Sequence, residues 1–181
     1  MQHPTARTAH EGPVFRVEVL EYEDPERGPV RKDIVRHPGA VLVIPIEDDG
    51  RLVMIRNRRV SVKRWLIEFC AGKIERGESP LESARRELAE ECGRHAGRLV
   101  EVGRFLTSPG MSDELMHVFE ARDLSPTDQR LEPGEDIEVQ VMSVDQIESM
   151  IREGTIDDGK SIAALSQWKL RAKCPAGDSE R

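Results

Sequence analysis

The chain has 181 residues, 34% of them charged and only 4% aromatic, with a formal net charge of −7. That length suits one domain, or one domain with a small appendage, and is enough to bury a sizeable core. The acidic balance and the lack of a basic stripe exclude a protein that grips a nucleic-acid backbone, and no apolar run reaches membrane-spanning length, so neither nucleic acid nor membrane is expected as a partner.

In chain order, Met1 to Gly12 is polar and lacks the apolar centre of a signal peptide. Residues 13 to 22 largely alternate apolar and polar, which predicts a strand; Glu23 to Pro29 holds a turn, and Val30 to His37 makes a second strand. Residues 1–38 are therefore expected to form a small antiparallel N-terminal β element. Pro38-Gly39 interrupts the pattern. Ala40 to Ile46 is continuously apolar, as a strand buried on both faces must be. Asp48-Asp49-Gly50 predicts a hairpin turn, with Leu52 to Ile55 returning as its partner strand and Trp65 to Phe69 as another. Ser79-Pro80 with Glu82 predicts a helix start, and Gly93 its end. Strands are expected at Leu99 to Leu106, Met116 to Ala121 and Ile137 to Met142, with a polar loop from Asp123 to Gly134. Val144 to Gly154 and Ser161 to Ala172 read as amphipathic helices, closing a main domain over 39–172, and 173–181 as a disordered tail. Strands and helices mix without regular βαβ alternation, which favours an α+β fold or an α/β/α sandwich. The three cysteines, Cys70, Cys92 and Cys174, have no metal-site or CxxC spacing and suit reduced thiols in a cytoplasm.

The helix opened by Ser79 carries the chemistry. Glu87, Glu90 and Glu91 fan across roughly a third of its circumference, beside an expected buried edge of Leu81, Ala84, Leu88 and Cys92. Like charges at these spacings repel. A hard divalent cation would turn that cost into binding, and Mg²⁺ in particular bridges carboxylates to substrate phosphates. The alternative is a solvated acidic face with ordinary pairs such as Glu82 with Arg86; it leaves Gly72, Gly77 and Gly93, which frame the helix, unexplained.

Residues 72 to 94 resemble the Nudix box, G-x5-E-x7-R-E-U-x-E-E-x-G-U, where U is bulky and aliphatic. Gly72, Glu78, Arg86, Glu87, Leu88, Glu90, Glu91 and Gly93 fall in register, and only Arg94 departs, at a position expected to pack apolar surface. The resemblance implies an α/β/α sandwich around a mixed sheet and pyrophosphate hydrolysis with Mg²⁺, for which Mn²⁺ can substitute. It implies metal ligands at Glu87, Glu90 and Glu91, at the carbonyl of Ala71 and at Glu135. Gly72, Glu78, Arg86 and Gly93 would hold the loop–helix–loop in shape.

The flanks resemble the ADP-ribose pyrophosphatase subfamily over roughly residues 14 to 170. Thr107 to Glu114 stands where that subfamily has S-P-G-x-x-D-E, and Glu68-Phe69-Cys70-Ala71-Gly72 resembles E-x-P-A-G with Cys70 in place of proline. Arg59, 13 residues before Gly72, matches a phosphate-binding arginine. Substrate contacts are thus expected from Arg59, Glu68, Gly110, Met111 and Glu114, although Arg59 lies in a basic run that would also suit a solvated loop. The catalytic base is expected on the loop before the last strand. Pro133 stands at the usual base position there, leaving Glu135, supported by Glu132, or else Glu90. The leading substrate is ADP-ribose, split to AMP and ribose 5-phosphate; GDP-mannose, a nucleoside triphosphate, or binding without hydrolysis by a sensor or interaction module are the alternatives. Relatives use such an N-terminal element to dock onto a second subunit, so a homodimer is expected.

Overall fold

The computed structural model describes residues 5–173. Among the described residues ten strands form three sheets, with three helices packed around them. β1 (Thr5–Glu11), β2 (Arg16–Asp24) and β3 (Gly28–Arg36) form an antiparallel N-terminal sheet in that order. β4 (Ala40–Pro45), β7 (Ala71–Lys73), β8 (Arg94–Leu106) and β9 (Leu115–Pro126) form a mixed sheet ordered β7-β4-β9-β8, in which β4 and β9 run parallel. β5 (Leu52–Arg59), β6 (Arg64–Glu68) and β10 (Ile137–Met142) form an antiparallel sheet ordered β10-β5-β6.

The apolar run of β4 is explained by helices on both sides. Ala40, Leu42 and Ile44 join a core with Ile147 and Ile151 of α2 (Val144–Arg152) and Ala164 and Leu165 of α3 (Gly159–Lys173). Val41 and Val43 face the opposite way and pack with Ala84, Leu88 and Cys92 of α1 (Pro80–Cys92). Side chains alternate along a strand, so each layer receives every second residue. This is the sandwich expected from the sequence.

α1 starts and stops where the residues dictate. Ser79 accepts from the Glu82 N–H, and the Glu82 carboxylate accepts from the Ser79 N–H, a reciprocal cap. Gly93 ends the helix at φ 60°, a left-handed conformation that costs glycine little. Arg94, at the box position expected to be aliphatic, begins β8 and bonds Glu47 at 3.3 Å, a polar solution to the same docking.

Several expectations are corrected. Thr5–Glu11, expected only as a polar lead within the N-terminal β element, is a strand, because β2 offers it an edge to pair with; all seven of its residues are exposed, so no apolar pattern announces it. The Asp48–Gly50 turn closes as expected, with Gly50 N–H bonding Glu47 carbonyl, but the strands it joins diverge into different sheets after one Ile46–Leu52 bridge. β9 continues to Pro126, into the stretch read as loop, because the long β8 supplies partners that far. Leu81 is 40% exposed: in the first turn of α1 it lies beyond the sheet that buries Ala84, Leu88 and Cys92. Lys173 belongs to α3, and Cys174 with the rest of the expected tail lies outside the described residues. No described helix is long and apolar enough to cross a membrane.

Candidate active site

A cleft of about 510 Å³ opens between α1 and the end of β5. One wall is α1, which presents Arg86, Glu87, Glu90 and Glu91. Glu91 is 3% exposed and Glu87 8%. Burial, then repulsion from Glu87, pushes the Glu91 carboxyl up to about 8, against the pull of the Ala71 N–H, which donates to it at 2.9 Å. Burial also raises Glu87, although Arg86 bonds it at 2.7 Å. Glu135, from the loop after β9, adds repulsion to both.

Arg86 organises the turn before the helix. Its Nε bonds Glu78 at 3.0 Å, its Nη2 bonds the Lys73 carbonyl at 3.1 Å, and its Nη1 reaches Glu87 and, at 3.1 Å, Glu90. Arg86, with help from the Ser83 hydroxyl at 2.6 Å, holds the Glu78 carboxyl down at about 2. Glu78 and Arg86 thus tie loop to helix, in line with their expected shaping role. Gly72 shapes the site by lacking a side chain and not by an unusual torsion. Its φ is not positive, but a Cβ there would lie 1.9 Å from the Glu87 Oε1 and 2.5 Å from its Oε2. Only a residue without a side chain lets Glu87 lie against β7. Gly77 does occupy positive φ, at 92°.

The loop after β9 is brought to this wall by backbone hydrogen bonds. Thr127 N–H donates to the Gly93 carbonyl at 3.0 Å and Arg130 N–H to the Glu90 carbonyl at 3.0 Å, while the Gln129 amide donates to the Glu91 carbonyl at 2.7 Å. The loop then turns, with Glu135 N–H on the Glu132 carbonyl and the Glu132 N–H on the Glu135 carboxylate at 2.8 Å. Glu132 and Glu135 both line the cleft.

The opposite wall carries positive charge. Arg59, at the end of β5, lines the cleft and bonds Glu68 at 2.8 Å. Two other cations of the basic run are engaged elsewhere: Arg56 stacks on Trp65 with its guanidinium 4.4 Å from the ring centre, and Arg64 bonds Asp157. Glu68 does not line the cleft. Its side chain is fully buried, and Arg59 and Lys160 occupy its two oxygens, so it is corrected from a substrate contact to a support for these cations.

The 107–114 loop divides in the same way. Glu114 lines the cleft, accepts from the Thr107 hydroxyl at 2.6 Å and lies 3.7 Å from His37 Nδ1. Gly110 and Met111 do not line it. The Met111 carbonyl accepts from Val35 N–H at 2.8 Å, docking the loop on β3, and the Met111 side chain is 58% exposed. His37 and Lys160 line the cleft without having been singled out. Neither has a local signal, since each is a lone residue whose position depends on a distant partner, Asp113 for His37 and Glu68 for Lys160.

The donor set fits a hard divalent cation. Carboxylates of Glu87, Glu90, Glu91 and Glu135 and the carbonyl of Ala71 are all oxygen donors, and the buried repulsion between Glu87 and Glu91 is what a bound cation relieves. Among the described residues no three acidic, histidine or cysteine side chains already enclose one point, so these carboxylates line a wall rather than a finished cage.

A carboxylate wall facing fixed cations across an open cleft defines a protein built to hold a small anionic substrate. The chain belongs to the NUDIX family, whose domain matches residues 36–165. It is similar to the ADP-ribose pyrophosphatase of Bacillus subtilis (strain 168), 36% identical over 162 residues that cover 88% of each chain. It is also similar to the methanol dehydrogenase activator of Bacillus methanolicus, 34% identical over 162 residues and 88% of each chain. A crystal structure of an ADP compounds hydrolase matches with a TM-score of 0.79 at 27% identity, covering 96% of both chains.

Proposed function

We propose that this chain is a hydrolase that splits the pyrophosphate bond of a nucleoside diphosphate sugar with a divalent metal, Mg²⁺ being the expected ion and ADP-ribose, giving AMP and ribose 5-phosphate, the leading substrate. The observation that carries this reading is the pair of buried, mutually repelling carboxylates Glu87 and Glu91 facing Arg59 across the cleft. Its relatives named for ADP-ribose support the substrate. Glu87, Glu90, Glu91, Glu135 and the Ala71 carbonyl would hold the metal. When bound, the ion neutralises the diphosphate and lowers the pKa of a water. Arg59 binds a phosphate oxygen by a charge-assisted hydrogen bond and fixes the diphosphate against the α1 wall. Glu135, with its backbone neighbour Glu132 fixing the turn, takes the proton of the attacking water.

Residues 1–38 form an accessory element and 39–172 the catalytic unit in this reading. The N-terminal sheet supports a homodimer: Val19 is its one buried residue among those described, while Val14 and Phe15 beside it are 41% and 43% exposed. A cytoplasmic location also belongs to this reading, supported by Cys70 and Cys92, which are buried as thiols. Incubation of the protein with Mg²⁺ and a panel of ADP-ribose, GDP-mannose and nucleoside triphosphates, with both products identified, tests the function. ADP-ribose turnover to AMP and ribose 5-phosphate is expected; turnover of triphosphates alone, or of nothing, refutes it.

A further inference from the structure

Lys160 stands outside every motif read from the sequence, yet it has a built seat. It is the second residue of α3, its side chain is only 17% exposed, and it lines the cleft beside Arg59. The two cations hold opposite oxygens of one fully buried carboxylate: Arg59 bonds Oε1 of Glu68 at 2.8 Å and Lys160 bonds Oε2. A second chain of bonds fixes the spacing. Phe69, next after Glu68, donates its N–H to the Ser161 hydroxyl at 2.9 Å, and that hydroxyl donates to Asp158 at 2.6 Å. Ser161 is 2% exposed, so the end of β6 and the start of α3 are joined inside the protein.

Neutralising Glu68 would need one cation, and Arg59 already supplies it. Lys160 also meets Asp158 at 2.9 Å, so the four charges balance. The hydrogen-bond donors do not. An ammonium has three N–H groups, and Lys160 spends two, on Glu68 and Asp158. Arg59 spends only its Nε among the described residues, which leaves both terminal nitrogens. Unspent donors on two rigidly spaced cations, facing a carboxylate wall that attracts metal, match a diphosphate: its oxygens away from the metal need donors on that side.

We propose that Lys160 is a second cationic contact for the substrate's diphosphate and that Glu68 is the positioning residue that sets it beside Arg59. This rests on the reading of the chain as a nucleoside diphosphate sugar hydrolase. The test compares wild type with Lys160→Ala, Lys160→Met, Lys160→Arg and Glu68→Gln. It measures kcat and KM for ADP-ribose with Mg²⁺, calorimetric binding of ADP-ribose and of inorganic pyrophosphate in EDTA, and melting temperature. Lys160→Ala and Lys160→Met should raise KM and both dissociation constants about tenfold, the loss of one charge-assisted bond. Their kcat should change little, and Lys160→Arg should recover most of the loss. Glu68→Gln should raise KM too, and combined with Lys160→Ala should cost less than the sum, because both act through one contact. A fallen melting temperature with unchanged KM and unchanged pyrophosphate binding in both Lys160 variants would overturn the proposal and leave Lys160 as a counter-ion of Glu68. If wild type hydrolyses no nucleotide sugar, the parent reading fails on its own, and pyrophosphate binding still decides Lys160: weaker binding in the variants upholds the contact, and equal or absent binding in wild type and variants refutes it.

Discussion

At the scale of single residues, Glu91 links stability to metal binding. Its carboxyl is raised from the ordinary 4.5 to about 8 by burial and by Glu87. A carboxyl raised in the folded state favours that state while protonated, so its contribution is complete below about pH 4.5 and is lost as pH climbs through about 8. The metal-free protein should therefore melt at progressively lower temperature between those values. Glu91→Gln should flatten that slope, and saturating Mg²⁺ should reverse it, because the ion binds the deprotonated form. A scanning-calorimetry series in EDTA and in Mg²⁺ reads all three. The same variant should lose kcat by orders of magnitude with its circular dichroism intact; full turnover by Glu91→Gln would remove it from the metal site. Arg59→Ala should raise KM for ADP-ribose about tenfold while Arg64→Ala leaves it near wild type, since Arg64 bonds Asp157 away from the cleft. Equal, negligible effects would return Arg59 to the surface. Glu91, with Glu87 and Glu90, was legible in the sequence because box spacing fixes them on one helix, and Arg59 from its spacing to Gly72. Glu68 was legible as important but not as buried, because its partner Lys160 lies 92 positions away.

At the scale of elements, α1 depends on its ends. Removing the Ser79 hydroxyl leaves the Glu82 N–H without its cap and frees the Glu82 carboxylate from its partner hydroxyl. Ser79→Ala should cost about 1 kcal/mol, or roughly 2–4 °C of melting temperature for a chain of this size. A thermal shift of less than a degree would mean that packing of Ala84 and Leu88 alone sets the helix. Gly72→Ala should do little to melting and much to kcat, because its Cβ meets the Glu87 carboxylate rather than backbone. The limits of α1 and of β10 were readable from caps and from alternation. β1 and the far half of β9 were not: an exposed strand is defined by the partner that pairs with it, and that partner is not a local property of the chain.

At the scale of the whole molecule, the N-terminal sheet meets the rest through a few polar contacts, such as Arg36 with Asp113 at 3.0 Å and the Val35–Ser112 bridge. Three strands with so little buried apolar surface are marginal alone. The protein should therefore run at twice its 20.4 kDa chain mass in light scattering at micromolar concentration, and removal of residues 1–38 should abolish both the dimer and most ADP-ribose turnover. A fully active monomer would contradict this. The sandwich itself was legible, because a strand apolar at every position must have cover on both faces. The division of its strands between two sheets was not, since a turn sequence fixes the reversal of the chain and not the partner that each strand takes afterwards. The fastening of the 127–130 segment onto α1 has a further consequence for motion. The Thr127 and Arg130 amides are held by carbonyls of the C-cap and last turn of the helix that carries the acidic wall, so segment and helix should exchange hydrogen for deuterium as one cooperative unit, with the Arg130 amide opening only when the last turn of α1 frays. Any breathing of the cleft should then fall to the opposite lip, the tip around Ser61, where the flanking Val60 and Val62 are 77% and 51% exposed and little packs against them.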